Sequence, residues 1–358
     1  MGRFFLALSS LLVVLLGLEL GLRLWGGPDD AAHALYSFHQ SDPVLGWIGQ
    51  PNLRKRFVSR EFDVIVEHDA SGFRKPEPLP PAAPARRILV LGDSFTWGSG
   101  VAQGESFTDQ LQRSLAPSIA VANRGINGIG TAQQYLLLER ELAAQHYDLV
   151  LLQFTPNDVD DNVDKKSGRR PWFVVEEGQL VARNPHPRPL MSASKRFFRE
   201  QSRLYNFVSF RLSLLQRRAS SKAPLAERAS RYEDLRRQPG FEVTLELLRA
   251  MSRVASEHGA AFFALYAHPG DPLAYASTEE LCARAAVGWI DLVPALRARP
   301  GLALTFTYNR HWTADGHRAV AEALLAAGPF AGWRATAPAS RSAPPDADRA
   351  VAPAPARR

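Results

Sequence analysis

Ser94 stands in Gly92-Asp93-Ser94-Phe95, directly behind the apolar run Ile88-Leu89-Val90-Leu91. A serine there can sit exposed at the end of a buried strand. The first N–H groups of a following helix would point at anything bound to it. The same serine can equally serve as a helix N-cap. Asn123 to Thr131 holds three glycines, Gly125, Gly128 and Gly130, in nine residues. Such a loop can turn its N–H groups toward a bound group, or be an ordinary turn. Asn157, in Thr155-Pro156-Asn157-Asp158, can donate its amide to an oxyanion or form an Asx turn. His311, in His311-Trp312-Thr313-Ala314-Asp315-Gly316-His317, can be a general base or a packing residue.

Singly these segments decide little. Each, however, follows or precedes an element in one alternating pattern. Ile88–Leu91, Ile119–Ala122, Asp148–Phe154, Ala260–Ala267 and Val287–Val293 read as strands. Glu105–Leu115, Thr131–Gln145, Thr244–His258, Ser277–Ala286 and Trp312–Ala327 read as helices between or after them. Alternation of this kind predicts an α/β fold, with a parallel sheet covered by helices on both faces. Loops at the carboxyl ends of such strands converge on one site. That convergence favours the chemical reading of the four segments.

The flanks have a different character. Phe4–Leu18 is an uncharged, mostly apolar run, and the apolar pattern continues past Glu19 and Arg23 to Trp25. As a helix, Phe4–Trp25 would reach roughly 33 Å, enough to cross a bilayer's hydrocarbon core. A cleaved signal peptide is the rival, although the nearest small-x-small site, Ala32-His33-Ala34, lies beyond Pro28. Arg3 precedes the run while Asp29 and Asp30 follow it, which predicts a single-pass signal anchor with the body outside the cytoplasm. The domain reading is therefore an anchor (1–25), an extracytoplasmic stalk region and linker (26–85), a catalytic domain (86–330) with an insertion (160–240), and an Ala/Pro/Arg-rich disordered tail (331–358).

The chain's net charge of +7 is concentrated. Residues 160–240 hold 18 Lys and Arg against nine Asp and Glu. Within them, 171–175 and 179–181 read as a β-hairpin and Leu204–Leu215 as an amphipathic helix. A segment this long is expected to be a lid or platform overhanging the site, suited to an anionic polysaccharide or the headgroup layer. It can also be a solvated basic face. No nucleic-acid motif accompanies the charge. The single cysteine, Cys282, excludes an internal disulfide framework and a cysteine-based zinc cluster.

The order Gly-Asp-Ser, Asn-x-Gly-x-x-Gly, Asn-Asp and His-x-x-x-x-Gly-His resembles the SGNH (GDSL) hydrolase superfamily over roughly residues 86–330. It is most similar to bacterial membrane-anchored members, which carry stretches like Asp42–Trp47 and Ser71–Arg74 upstream. The resemblance implies a three-layer flavodoxin-like α/β/α sandwich and a serine esterase without metal or organic cofactor. It implies Ser94 as nucleophile and His311 as base. The N–H groups of Ser94 and Gly128 and the side chain of Asn157 would form the oxyanion hole. It gives Asp93 a structural role and His317 a packing role.

Two positions depart from the family pattern. Thr155 stands where a glycine is usual. The triad acid, expected two or three residues before the histidine, falls on Asn309 or Tyr308, neither a carboxylate. Asn309 can orient the imidazole through its carbonyl oxygen but brings no charge; in a serine protease the equivalent replacement costs about 10⁴ in turnover. Asp315 or a backbone carbonyl are the alternatives. The expected partner is an acylated small molecule or surface polysaccharide. An O-acetyltransferase using the same residues, or a non-catalytic carbohydrate-binding protein, are the other readings.

Overall fold

The computed structural model describes residues 2–25, 37–115, 117–184, 186–189, 192–220, 234–268, 272–299, 301–327 and 329–330. The tail 331–358 and the stretch holding Pro28, Asp29 and Asp30 lie outside them. Strands β5 (Arg86–Gly92), β6 (Ile119–Gly125), β7 (Leu149–Gln153), β10 (Ala261–Tyr266) and β11 (Gly288–Asp291) form one parallel sheet in the order β11-β10-β7-β5-β6. This is the doubly wound order of a flavodoxin-like sandwich, with its switch point at β5 between β6 and β7.

Period-two alternation splits each central strand between two cores. Leu89 and Leu91 of β5, with Val150 and Leu152 of β7, enter the core under α4 (Thr131–Ala144), α8 (Phe241–Glu257) and α9 (Pro272–Ala285). Ile88 and Val90, with Leu149 and Leu151, enter the opposite core under α3 (Phe107–Ser114), α10 (Val293–Arg297) and α11 (Ala314–Ala327). Helix starts shift slightly from the sequence reading. α3 begins at Phe107 because Ser106 caps it, its hydroxyl accepting from the Asp109 N–H. α11 begins at Ala314 because the Thr313 hydroxyl accepts from the Gly316 N–H, leaving His311 and Trp312 in the loop before it.

Residues 37–75, expected as a stalk, are folded onto the sheet domain. Hairpins β1–β2 (His39–Asp42, Gly46–Gly49) and β3–β4 (Arg54–Val58, Asp63–Glu67) are antiparallel. Leu45, Trp47 and Phe73 belong to the core that contains Leu89 and Val150. Phe38, Phe57, Phe62 and Val66 bury with Trp97 from just past β5. Burial of this much aromatic surface makes the hairpins part of the folded body.

The insertion divides in two. Its hairpin, β8–β9 (Trp172–Glu176, Gln179–Arg183), packs Phe173 against Ala132, Val243 and Leu247 of α4 and α8. Its helices α6 (Ala193–Gln201) and α7 (Arg203–Ser220) meet α1 (Gly2–Trp25). The Glu19 carboxylate accepts from the Ser202 hydroxyl and from the N–H groups of Arg203 and Leu204, each at 2.9 Å. Arg23 donates to Glu19 at 2.8 Å and to the Gln201 carbonyl at 2.6 Å. The insertion's hairpin thus rests on α4 and α8 and its helices meet α1: amphipathic spacing shows that a helix has an apolar face, but not which surface it meets. Arg170, from the start of the insertion, donates to the Gly128 carbonyl in the loop after β6.

Candidate active site

Ser94 opens the short helix α2 (Ser94–Trp97) at the carboxyl end of β5. The cap of that helix is Asp93, whose Oδ1 accepts from the Phe95 N–H at 2.9 Å. The capping role open to the serine is therefore filled by its neighbour. Gly92 allows the sharp exit from the strand: a Cβ there would lie 2.2 Å from Thr96 Oγ1 and 2.9 Å from Gln153 Oε1.

Asp93 Oδ2 accepts from the Thr155 hydroxyl at 2.9 Å. The residue that departs from the family glycine thus supports the buried carboxyl beneath the serine. Burial pushes the Asp93 carboxyl up to about 6. Asp158 is also fully buried, and burial raises its carboxyl well above the usual range; it accepts from the Thr131 hydroxyl at 3.0 Å.

Across the switch point, His311 Nε2 lies 2.7 Å from Ser94 Oγ. His311 Nδ1 meets Asn309 Oδ1. An amide oxygen can only accept, so this contact fixes the proton on Nδ1 and leaves Nε2 free to accept from Ser94. Burial holds the imidazole down at about 4, so it is neutral at pH 7. Arg310, immediately before it, has φ +70°, a left-handed conformation that side chains rarely adopt. That bend sits between the two residues of the pair. Phe95 packs its ring 4.9 Å from His311 and 4.8 Å from Trp312, centroid to centroid.

Of the alternatives for orienting His311, Asp315 is committed elsewhere: it lies in the first turn of α11 and pairs with Arg318 at 2.5 Å. His317 is buried, and its Nδ1 accepts from the Phe107 N–H at 3.1 Å. Burial holds its ring down at about 3.

Gly128 lies in the loop after β6 with φ +74°, the region glycine enters without strain. The Trp47 indole donates to the Asn127 carbonyl at 2.9 Å, and Arg170 to the Gly128 carbonyl at 3.3 Å. In a trans peptide C=O and N–H point opposite ways, so holding the Asn127 carbonyl on the Trp47 side turns the Gly128 N–H to the other side. Asn157 follows β7 and donates to Asp161 Oδ2 at 3.2 Å. That uses one of two amide hydrogens and leaves one.

Ser94, His311 and Asn309 are thus directly connected, while Gly128 and Asn157 sit on adjacent loops at the same sheet edge. Sequence reasoning missed Trp47, Arg170, Glu61 and His268. Glu61 accepts from the Asn309 N–H at 2.8 Å. His268, just past β10, packs 4.6 Å from the Phe95 ring, and burial holds it down at about 4. Arg170, Glu61 and His268 lie outside every motif singled out in the sequence. The Trp47 stretch Asp42–Trp47 stood out in the sequence, but with no indication of what its indole meets.

The model of the GDSL-like lipase/acylhydrolase family matches residues 90–319. The solved structures to which the chain is similar are distant. TesA is 14% identical, with 68% of this chain and 97% of that chain covered and a TM-score of 0.39. A member of the lipolytic G-D-S-L family from Veillonella parvula is 15% identical, with 68% and 97% covered and a TM-score of 0.39. The acetylxylan esterase Axe2 from Geobacillus stearothermophilus is 16% identical, with 71% and 98% covered and a TM-score of 0.38. No curated protein matches.

Proposed function

The chain belongs to the GDSL-like lipase/acylhydrolase family, and from that membership we propose that it is a serine esterase in which Ser94 is the nucleophile and His311 the base. It is an SGNH-type hydrolase acting on ester bonds. The observation that carries the residue assignment is the 2.7 Å contact between Ser94 Oγ and His311 Nε2.

In this reading Ser94 Oγ attacks the acyl carbon as its proton passes to His311 Nε2. The Ser94 and Gly128 N–H groups and the Asn157 amide donate to the carbonyl oxygen and stabilise the charge that develops on it. His311 then gives its proton to the departing alkoxide, leaving an acyl-enzyme. A water molecule, deprotonated by the same nitrogen, releases the acid and restores Ser94. Asn309 keeps the imidazole in the correct tautomer throughout, but its amide dipole stabilises the imidazolium less than a carboxylate would.

The substrate proposed is a small acyl group, such as acetyl, on a carbohydrate outside the cytoplasm. Membrane anchoring is supported by α1: Arg3–Leu24 has mean hydropathy 2.3, and none of its described residues is buried. It is also supported by Glu19, whose charge within an apolar helix is met by the amino end of α7. We assign α1 as a membrane anchor with the body on the periplasmic side; protease accessibility of the body in intact spheroplasts tests it.

Labelling with a fluorophosphonate probe tests the chemistry. Wild type is expected to label and to turn over p-nitrophenyl acetate, and Ser94→Ala to do neither. Equal labelling of the two would sink the nucleophile assignment. Asn309 in place of an acid is the one feature favouring a second reading, a carbohydrate-binding protein that retains the fold. Wild type that neither labels nor turns over any ester would establish that reading instead.

A further inference from the structure

We infer that Glu61 is a positioning residue for the Asn309–His311 pair, supplied to the site by the β3–β4 hairpin of the upstream region. The inference rests on the Ser94–His311 reading above.

Three consecutive residues of the turn between β3 and β4 each hold the loop that carries Asn309 and His311. The Arg60 guanidinium lies 3.9 Å from the centre of the Tyr308 ring. Glu61 accepts from the Asn309 N–H at 2.8 Å and from the Tyr308 N–H at 3.0 Å. The Phe62 ring lies 5.3 Å from the Phe306 ring. The turn is itself shaped for this: the Ser59 N–H donates to the Phe62 carbonyl at 2.8 Å, and the Ser59 hydroxyl accepts from the Glu61 N–H at 3.0 Å.

The loop needs such support. Its ends are tied together by the Phe306 N–H donating to the His311 carbonyl at 2.9 Å, and the chain between them passes through the left-handed Arg310. Where a carboxylate faces an imidazole, the charge-assisted hydrogen bond aligns the two groups strongly. Here the partner of His311 is a neutral amide, which aligns it less. The charge-assisted contact sits one step back instead. The carboxylate of Glu61 grips the backbone N–H of the residue whose side chain faces His311. Glu61 is not a displaced triad acid, because its oxygens are spent on backbone N–H groups and the Nδ1 partner is Asn309. It acts through Asn309, by setting where Oδ1 stands.

A double-mutant cycle in the full-length protein tests this, with p-nitrophenyl acetate as probe and Ser94→Ala as control. Misplacing a reacting group by a fraction of an ångström to an ångström costs about tenfold to a hundredfold in rate. Glu61→Ala should therefore lower kcat about tenfold to a hundredfold and change KM less than about threefold. Glu61→Gln keeps one accepting oxygen and should recover most of that loss. In an Asn309→Ala background, Glu61→Ala should add less than about threefold, since the group it positions is gone. Wild-type kcat in Glu61→Ala would overturn the inference. So would equal losses in both backgrounds, the signature of a general structural role. If Glu61→Ala fails to fold, the cycle is run with Glu61→Lys, which removes the acceptor and keeps the chain length. Ser94→Ala is inactive under either outcome. Turnover by Ser94→Ala would overturn the site assignment itself, separately from Glu61.

Discussion

At residue scale the distinguishing feature is the amide that faces His311. In the proposed mechanism His311 is the base; flanked by a neutral partner and held down at about 4 by burial, it keeps its proton-accepting form at all pH values above about 5. The acid limb of kcat/KM is therefore expected below pH 5. Asn309→Asp places a negative charge beside Nδ1, which favours the imidazolium. The His311 pKa must rise, the acid limb must move toward neutral pH, and kcat at pH 8 should increase by about tenfold or more. A pH–rate profile of the two proteins checks both the direction and the gain; an unmoved acid limb would mean that His311 is not the titrating base. The residues on this path were legible in the sequence because each sits in a short motif with its neighbours. Ser94 follows a buried strand, and Asn309 stands two residues before His311. Whether Asn309, Asp315 or a backbone carbonyl met Nδ1 was not legible. That depends on the left-handed turn at Arg310, which no residue type at that position announces.

At element scale, alternation of strands and helices was enough to read the sheet and the edge on which the site forms. The pairing between distant elements was not readable. Trp47 belongs to β2 and Arg170 to the start of the insertion, yet both hold carbonyls of the loop after β6. Their side chains carry no motif, and contact across such separations leaves no local pattern. The consequence is testable. Trp47→Phe keeps most of the buried aromatic surface and removes the indole N–H from the Asn127 carbonyl. One such hydrogen bond is worth about 1 kcal/mol. The variant should lose about fivefold in kcat with KM nearly unchanged, because in the proposed mechanism the Gly128 N–H is used chiefly when charge develops on the substrate oxygen. A loss confined to KM would show that the loop binds ground state and transition state alike. The insertion's helices carry the same lesson. Phe207, Val208 and Leu212 of α7 are exposed, and α7 begins against Glu19 of α1. If α1 is the anchor proposed above, this amphipathic helix with basic neighbours would lie on the headgroup layer. A photo-crosslinker at position 208 should capture lipid when the full-length protein is in vesicles; capture of protein alone would show that α7 packs elsewhere.

At the scale of the whole molecule, the same burial that tunes the site ties stability to pH. His68, His268 and His311 are held at about 4 and His317 at about 3, all by burial, against 6.5 in an unfolded chain. His68 shows the cause: it joins the Gln50 carbonyl to the Trp97 indole at 3.0 and 3.2 Å, in the interior shared by the upstream hairpins and the sheet domain. Between pH 6.5 and about 4 the unfolded chain binds protons at these histidines and the folded chain does not. Their contribution is fully present above pH 6.5 and is lost as pH falls toward 4. Asp93, Asp109 and Asp158 act the other way, because burial raises their carboxyls and the folded state takes up protons first. The four histidines outnumber the three raised carboxyls, so the unfolded state binds the excess protons and stability falls as the pH is lowered. The melting temperature should therefore fall between pH 6.5 and 4.5. Scanning calorimetry across that range measures it, and a flat or rising Tm would mean that the histidines are solvated in the folded protein. His68→Gln, which keeps a polar side chain without a titrating ring, should flatten the slope. Because His68 lies between the upstream hairpins and the helix that carries Ser94, activity and folding of those hairpins should be lost together as the pH is lowered.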